Sequence, residues 1–201
     1  MDVRKLPMKM LCLIAALLAP SALAWARTPE AISGLLTPES VVQTKNGDIF
    51  VSEINKFGKD GDGQIRKINK KGQHTVFAKG MDDPKGLAII GDKLYVADKA
   101  RILEVNKDGT WHVYVEAKAF PAKPQFLNDL EADKLGNLYV SDSGDLKTGG
   151  AIYKIAKGGS VTTIANSMNP DIHAPNGLLF EGRDNHACRR FRHRHAIPRG
   201  H

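Results

Sequence analysis

Glu39, Lys85, Asn128 and Asn176 stand at the same position of four short runs that look alike: Pro38-Glu39-Ser40-Val41, Pro84-Lys85-Gly86-Leu87, Leu127-Asn128-Asp129-Leu130 and Pro175-Asn176-Gly177-Leu178. A carboxylate and two carboxamides offer oxygen lone pairs, which suit a hard divalent cation such as Ca²⁺. The lysine adds a positive charge at the same register. Asn is poor in strands and good in turns, so Asn128 and Asn176 each also suit a strand-entry turn. They become candidate ligands only if the fold gathers them with Glu39 around one axis.

The elements that could gather them recur along the chain. Ile49-Phe50-Val51-Ser52-Glu53, Leu94-Tyr95-Val96-Ala97-Asp98 and Leu138-Tyr139-Val140-Ser141-Asp142 are spaced 45 and 44 residues apart. Each is followed by an alternating run (Ile65–Ile68, Ile102–Val105, Ile152–Ile155), a glycine turn and a further run (Thr75–Phe77, Trp111–Tyr114, Val161–Ile164). Four short strands per unit, rich in β-branched and aromatic residues, describe a propeller blade. A period in the low forties selects this all-β architecture over a sandwich, and over helical repeats near 34. First strands of blades line the central channel, so the four register positions are expected at its mouth. Residues 38–77, 84–114 and 127–164 make three blades, and 175–180 opens a fourth. Propellers close with about four to eight blades, so an incomplete β-propeller is expected.

The chain has 201 residues and a formal charge of +7. Arg4, Lys5 and Lys9 against Asp2 give residues 1–26 a charge of +2, and six Arg against Asp184 give residues 183–201 a charge of +5. Residues 27–182 are therefore neutral, which excludes a basic nucleic-acid surface there. Residues 1–26 combine a positive start, an apolar run from Met10 to Ala19 and small residues at Ala22-Leu23-Ala24 and Ala24-Trp25-Ala26. This is the pattern of a secretory signal peptide, and the run is too short to span a bilayer. A periplasmic or secreted protein with no membrane segment after cleavage is expected. The cysteines, Cys12 and Cys188, lie outside residues 27–182, so packing alone must stabilise the blades.

After Gly182 the strand pattern stops. Residues 183–201 hold four of the seven histidines and one cysteine, with no zinc-ligand spacing. A metal-binding tract, a basic arm and out-of-frame translation of a GC-rich gene are the three readings. The break falls inside a strand that should continue, which favours the last and a tail without fixed structure.

The run Phe126-Leu127-Asn128-Asp129-Leu130-Glu131-Ala132-Asp133, followed by Gly136-Asn137-Leu138-Tyr139-Val140-Ser141-Asp142, resembles the senescence-marker-protein/gluconolactonase/luciferin-regenerating family. So do Ala174-Pro175-Asn176-Gly177-Leu178 and Pro38-Glu39-Ser40, and the resemblance spans about residues 30–182. It implies a six-bladed, calcium-dependent propeller that hydrolyses lactones or esters. On this resemblance Glu39 is the acidic metal ligand and Asn176 an amide ligand. Asn128 contacts substrate or metal, with Asp129 beside it, and these two with Lys85 are the candidate catalytic residues. The family's second acidic ligand, also its proposed base, has no counterpart before the pattern breaks. A truncated site, a weakly held cation and impaired hydrolysis follow. An Arg expected two residues before Asn128 is replaced by Phe126, which favours a less polar substrate and leaves Lys85 to supply positive charge. The alternatives are a noncatalytic binding propeller and a nonfunctional gene product.

Two further features have structural readings. Asp60-Gly61-Asp62-Gly63 lacks the later ligands of an EF-hand loop and reads as a tight polar turn. Glu53, Asp98 and Asp142 end equivalent second strands, where they can accept neighbouring backbone N–H groups. No Gly-x-Ser-x-Gly elbow, phosphate loop or Cys-x-x-Cys is present.

Overall fold

A computed structural model describes residues 31–180. The first 26 residues and the segment 183–201, read above as signal and tail, lie outside the described residues. Three four-stranded antiparallel sheets follow one another along the chain. The first comprises β1 (Pro38–Gln43), β2 (Ile49–Glu53), β3 (Gly63–Ile68) and β4 (His74–Met81). The second comprises β5 (Pro84–Ile90), β6 (Lys93–Asp98), β7 (Arg101–Val105) and β8 (Trp111–Val115). The third comprises β9 (Leu127–Ala132), β10 (Leu138–Asp142), β11 (Ala151–Ile155) and β12 (Val161–Asn166). Strands within each sheet keep chain order, the up-and-down pattern of propeller blades. An incomplete all-β propeller is therefore what the chain forms.

Period-2 alternation explains how the blades stack. In β6, Leu94 and Val96 pack with Phe50, Ile65, Ala78 and Met81 of the first blade. Tyr95 and Ala97 point the other way, into a core with Leu130, Val140 and Tyr153 of the third. The middle blade is thus covered on both faces, and β6 is buried from Leu94 through Asp98. Residues such as Val41, 65% exposed on β1, mark the outward face of the first blade.

Hairpin turns repeat as regularly as the strands. Gly47, Gly72, Gly109 and Gly136 each donate N–H to the carbonyl three residues earlier, and each has φ between 75° and 86°. That left-handed conformation costs glycine no Cβ clash. Asp60-Gly61-Asp62-Gly63 forms the polar turn the sequence suggests. It is tied by Lys99 to Asp60 at 2.6 Å and by Gly61 N–H to Asp82 at 3.2 Å.

Residues 175–180, expected as an opening strand, carry no strand ladder. They dock on the third blade instead, with Leu178 buried beside Tyr139 and Ile152, and Phe180 edge-on to Tyr139 at 5.0 Å. Among the described residues no strand pairs with them.

Candidate functional site

Glu39, Lys85 and Asn128 each lie in a β-bulge that recurs at the start of each blade, whereas Asn176 lies on no strand. On β1, Pro38 pairs Glu53 and Val41 pairs Val51, which leaves Glu39 and Ser40 opposite Ser52 alone. On β5, Lys85 and Gly86 oppose Ala97. On β9, Asn128 and Asp129 oppose Ser141. A bulge leaves one residue out of the ladder and re-aims its side chain. The opposing serine takes up the stranded amide: Ser40 N–H donates to Ser52 Oγ at 2.9 Å, and Asp129 N–H to Ser141 Oγ at 2.9 Å. In the middle blade, Gly86 brings β5 against β9. A Cβ there would lie 2.3 Å from Leu130 N and 2.7 Å from Asn128 O.

Carboxylates at the ends of the second strands anchor the segments that lead into these bulges, as the sequence suggests. Glu53 accepts Leu36 N–H at 2.9 Å. Asp98 Oδ1 accepts the N–H groups of Asp82 and Asp83 at 2.9 and 2.8 Å. Asp142 Oδ1 accepts Phe126 N–H at 2.8 Å and Gly144 N–H at 3.0 Å. Arg66 pairs with Glu53 at 2.9 Å and Arg101 with Asp98 at 2.8 Å, so two of these buried charges are also compensated.

Lys85 is only 2% exposed. Its ammonium donates to the carbonyl of Asp83 at 3.1 Å and lies over the Phe126 ring, 4.3 Å from the centroid. Burial lowers its pKa, while the carboxylates of Asp83, Glu39 and Asp98 oppose the shift. The Glu39 carboxyl is pushed up to about 7, first by burial and then by the Asp129 charge, with Lys85 pulling it down. Glu39 also keeps a solvent-exposed surface, and water there moderates that upward push. Glu39, Lys85 and Asp129 thus share one electrostatic neighbourhood.

Asp129 has both carboxylate oxygens engaged. Oδ2 accepts Leu178 N–H at 2.6 Å and Oδ1 accepts Leu130 N–H at 2.9 Å. Burial nevertheless raises its pKa. Asn128 is 5% exposed and donates from Nδ2 to Ser143 Oγ at 3.0 Å. Its Oδ1 is buried without a hydrogen-bond partner. Asn176 is exposed, and its backbone carbonyl accepts from Ser141 Oγ at 2.7 Å.

Sequence reasoning passed over Ser141, Ser143 and Asp83. A signal for the serines was there: Ser52-Glu53 and Ser141-Asp142 repeat at equivalent strand ends, with Ser143 next in line.

An unsatisfied buried amide oxygen, a carboxylate and a second carboxamide fit the oxygen-donor chemistry of a hard cation. Among the described residues no group of three or more His, Cys, Asp or Glu could hold a metal, so carboxamides would have to carry much of the coordination.

The fold recurs in solved structures. A calcium-binding regucalcin from Agrobacterium tumefaciens aligns with 16% identity and a TM-score of 0.52, over 64% of this chain and 44% of that one. A luciferin-regenerating enzyme aligns with 15% identity and a TM-score of 0.55, over 72% of this chain and 50% of that one. A gluconolactonase from Xanthomonas campestris aligns with 15% identity and a TM-score of 0.51, over 70% of this chain and 48% of that one. The chain therefore spans about half the length of the solved structures it matches. No characterised protein sequence matches it significantly. Residues 62–187 match the model of the SMP-30/Gluconolactonase/LRE-like region, a span that takes in the second and third blades and leaves Glu39 outside. With well over half its length inside that match and the bulged blades in the expected order, the chain belongs to the SMP-30/gluconolactonase/LRE-like family.

Proposed function

We propose that the bulged ring is the cation-binding and substrate-orienting part of a metal-dependent lactone or ester hydrolase that works outside the cytoplasm. The buried, unpartnered Oδ1 of Asn128, at the bulge position equivalent to that of a carboxyl whose pKa is displaced, is the observation that carries the reading. Family membership and the likeness to a gluconolactonase support a lactone-type small molecule. The likeness to a calcium-binding regucalcin supports Ca²⁺ or another divalent ion.

Glu39, Asn128 and Asn176 would hold the cation. A bound divalent ion supplies Lewis-acid polarisation of a carbonyl. The rest of the work falls to the protein. Glu39, with a carboxyl near neutrality, can hold or release a proton at its exposed edge. Lys85 keeps a positive charge above the Phe126 ring, where a developing oxyanion would be stabilised. Phe126 presents an apolar surface that disfavours heavily hydroxylated substrates. Asp129, occupied by two backbone amides, positions the Leu178 segment instead of activating water. With Glu39 taken up by the cation and Asp129 by its backbone amides, neither ring carboxylate is left to act as a general base once the cation is bound, so slow turnover is expected. Export rests on the signal-like first 26 residues, and amino-terminal sequencing of the mature protein tests it.

The decisive experiment is a thermal melt with and without Ca²⁺ on the wild type and Glu39→Gln. A ligand of the folded state raises Tm by mass action. A rise in the wild type that is lost in the variant supports the reading. Equal melting curves for both, with and without calcium, would sink it in favour of a noncatalytic binding propeller.

A further inference from the structure

Among the side chains around the ring, Ser143 is tied by hydrogen bonds that permit a single arrangement. It is 1% exposed and lies one residue past β10. Its Oγ is 2.8 Å from the carbonyl oxygen of Pro175 and 3.0 Å from Asn128 Nδ2. A carbonyl oxygen only accepts, so the one hydroxyl proton of Ser143 is committed to Pro175. What remains on Oγ is acceptor capacity, and Asn128 can meet it only with its NH₂ group. The carboxamide is thereby oriented with Nδ2 toward Ser143 and Oδ1 away from it. That oxygen is the one left buried and unpartnered.

We propose that Ser143 is a positioning residue that fixes the polarity of the Asn128 carboxamide, so that an acceptor and not a donor faces the ring's ligand. The polarity follows from the hydrogen bonds alone. That a divalent cation meets Oδ1 rests on the function proposed above. Ser141 provides an internal contrast. It also accepts a backbone amide (Asp129, 2.9 Å) and donates to a carbonyl of the docked segment (Asn176, 2.7 Å). No hydrogen bond joins it to the Asn128 side chain among the described residues.

The test uses the full chain, with Ser143→Ala, Ser143→Thr and, as a control on the exposed outer strand β12, Thr163→Ala. The side-chain NH₂ resonances of Asn128, assigned by their loss in Asn128→Asp, report by NMR whether that group is held. Wild type, Ser143→Thr and Thr163→Ala should show slowly exchanging Asn128 NH₂ protons. Ser143→Ala should show fast exchange. In calcium titrations followed by melting temperature, Ser143→Ala should weaken the apparent affinity about tenfold, as loss of an outer-shell partner does. Ser143→Thr should restore it, and Thr163→Ala should leave it unchanged. Should Ser143→Ala fail to fold, Ser143→Cys fills the site with a weaker hydrogen-bonding group and should fall between the two. Asn128 NH₂ signals that are unchanged in Ser143→Ala, or an affinity in Ser143→Ala equal to that of the wild type or of Thr163→Ala, would overturn the proposal. If the NMR pattern holds while the wild type binds no calcium, the positioning role stands and the cation reading fails.

Discussion

The Lys85 ammonium sits 4.3 Å from the centre of the Phe126 ring. One comes from the inner strand of the middle blade, the other from the segment entering the inner strand of the third. A cation over an aromatic face gains about 0.5–2 kcal/mol, more as water is excluded. Phe126→Leu should therefore cost roughly 1–2 kcal/mol in urea denaturation at neutral pH. In a Lys85→Met background the same change should cost distinctly less, and a double-mutant cycle would reveal the coupling.

Lys85 also predicts an alkaline pH effect. Its folded pKa lies below its usual 10.5, chiefly because it is buried. The native state gives up this proton before the unfolded chain does. The Lys85 contribution to stability should therefore rise with pH in the window below 10.5 and be lost again as pH falls through the folded value. Melts across that range should be flatter in Lys85→Met than in the wild type.

Glu39 acts with the opposite sign. Its carboxyl is raised from 4.5 to about 7, so between those values the native state binds more protons than the unfolded one. Stability should fall as pH rises through that window. Glu39→Gln should reduce the slope, to which Asp129 and Glu131, also raised by burial, add in the same direction, and saturating calcium should oppose it by favouring the Glu39 carboxylate. A wild-type profile that is level from 4.5 to 7 would count against the crowded carboxyl described here.

Gly86 and Gly177 follow equivalent ring residues but should respond differently to alanine. At Gly86 a Cβ would strike the β9 backbone, 2.3 Å from Leu130 N, and neither strand can yield without separating two blades. Gly86→Ala should cost about 2–3 kcal/mol or more, the upper range for overpacking. At Gly177 the nearest atom to such a Cβ is Asp129 Oδ2 at 4.0 Å, so Gly177→Ala should change stability by less than about 0.5 kcal/mol. Paired chemical denaturation curves would check both.

Asp98 is fully buried, accepts two backbone amides and pairs with Arg101. Asp98→Ala strands all of these and should destabilise by about 3–5 kcal/mol. Asp98→Asn keeps an acceptor oxygen for the amides and should lose only about 1–2 kcal/mol. An equal loss for both would mean that the charge matters more than the backbone anchoring.

Much of the fold was legible because it is local and periodic. Ile49–Glu53 and Leu138–Asp142 are strands over the residues the repeat marks, and Leu94–Asp98 gains only Lys93. The role of Glu53, Asp98 and Asp142 as backbone acceptors could be read from their shared position at strand ends. The bulges could not be read so directly. They depend on which residue of β2, β6 or β10 stands opposite, and a one-residue offset leaves no trace in composition. The hydroxyl of Ser143 escaped for a similar reason, since its partners Asn128 and Pro175 lie 15 and 32 residues away. Lys85, which sequence alone could place in water or in the ring, is buried because β5 is closed in by its neighbours on both sides. Residues 175–180 matched the opening-strand pattern, but a strand is made by its partner as much as by its own residues.

The two-faced burial of β6 also says where this scaffold will accept redesign. Every side chain from Leu94 to Ala97 packs into a core shared with a neighbouring blade, and Asp98 anchors the entry to its own, so a library randomised there would mostly yield misassembled protein. The hairpin tips, such as Lys134-Leu135-Gly136-Asn137, project from the same framework with Leu135 70% exposed. New loops grafted at that position could vary while the inner strands keep their register, provided the left-handed glycine and Asn137, which ties the tip to Asp133 and to Lys157 N–H, are retained.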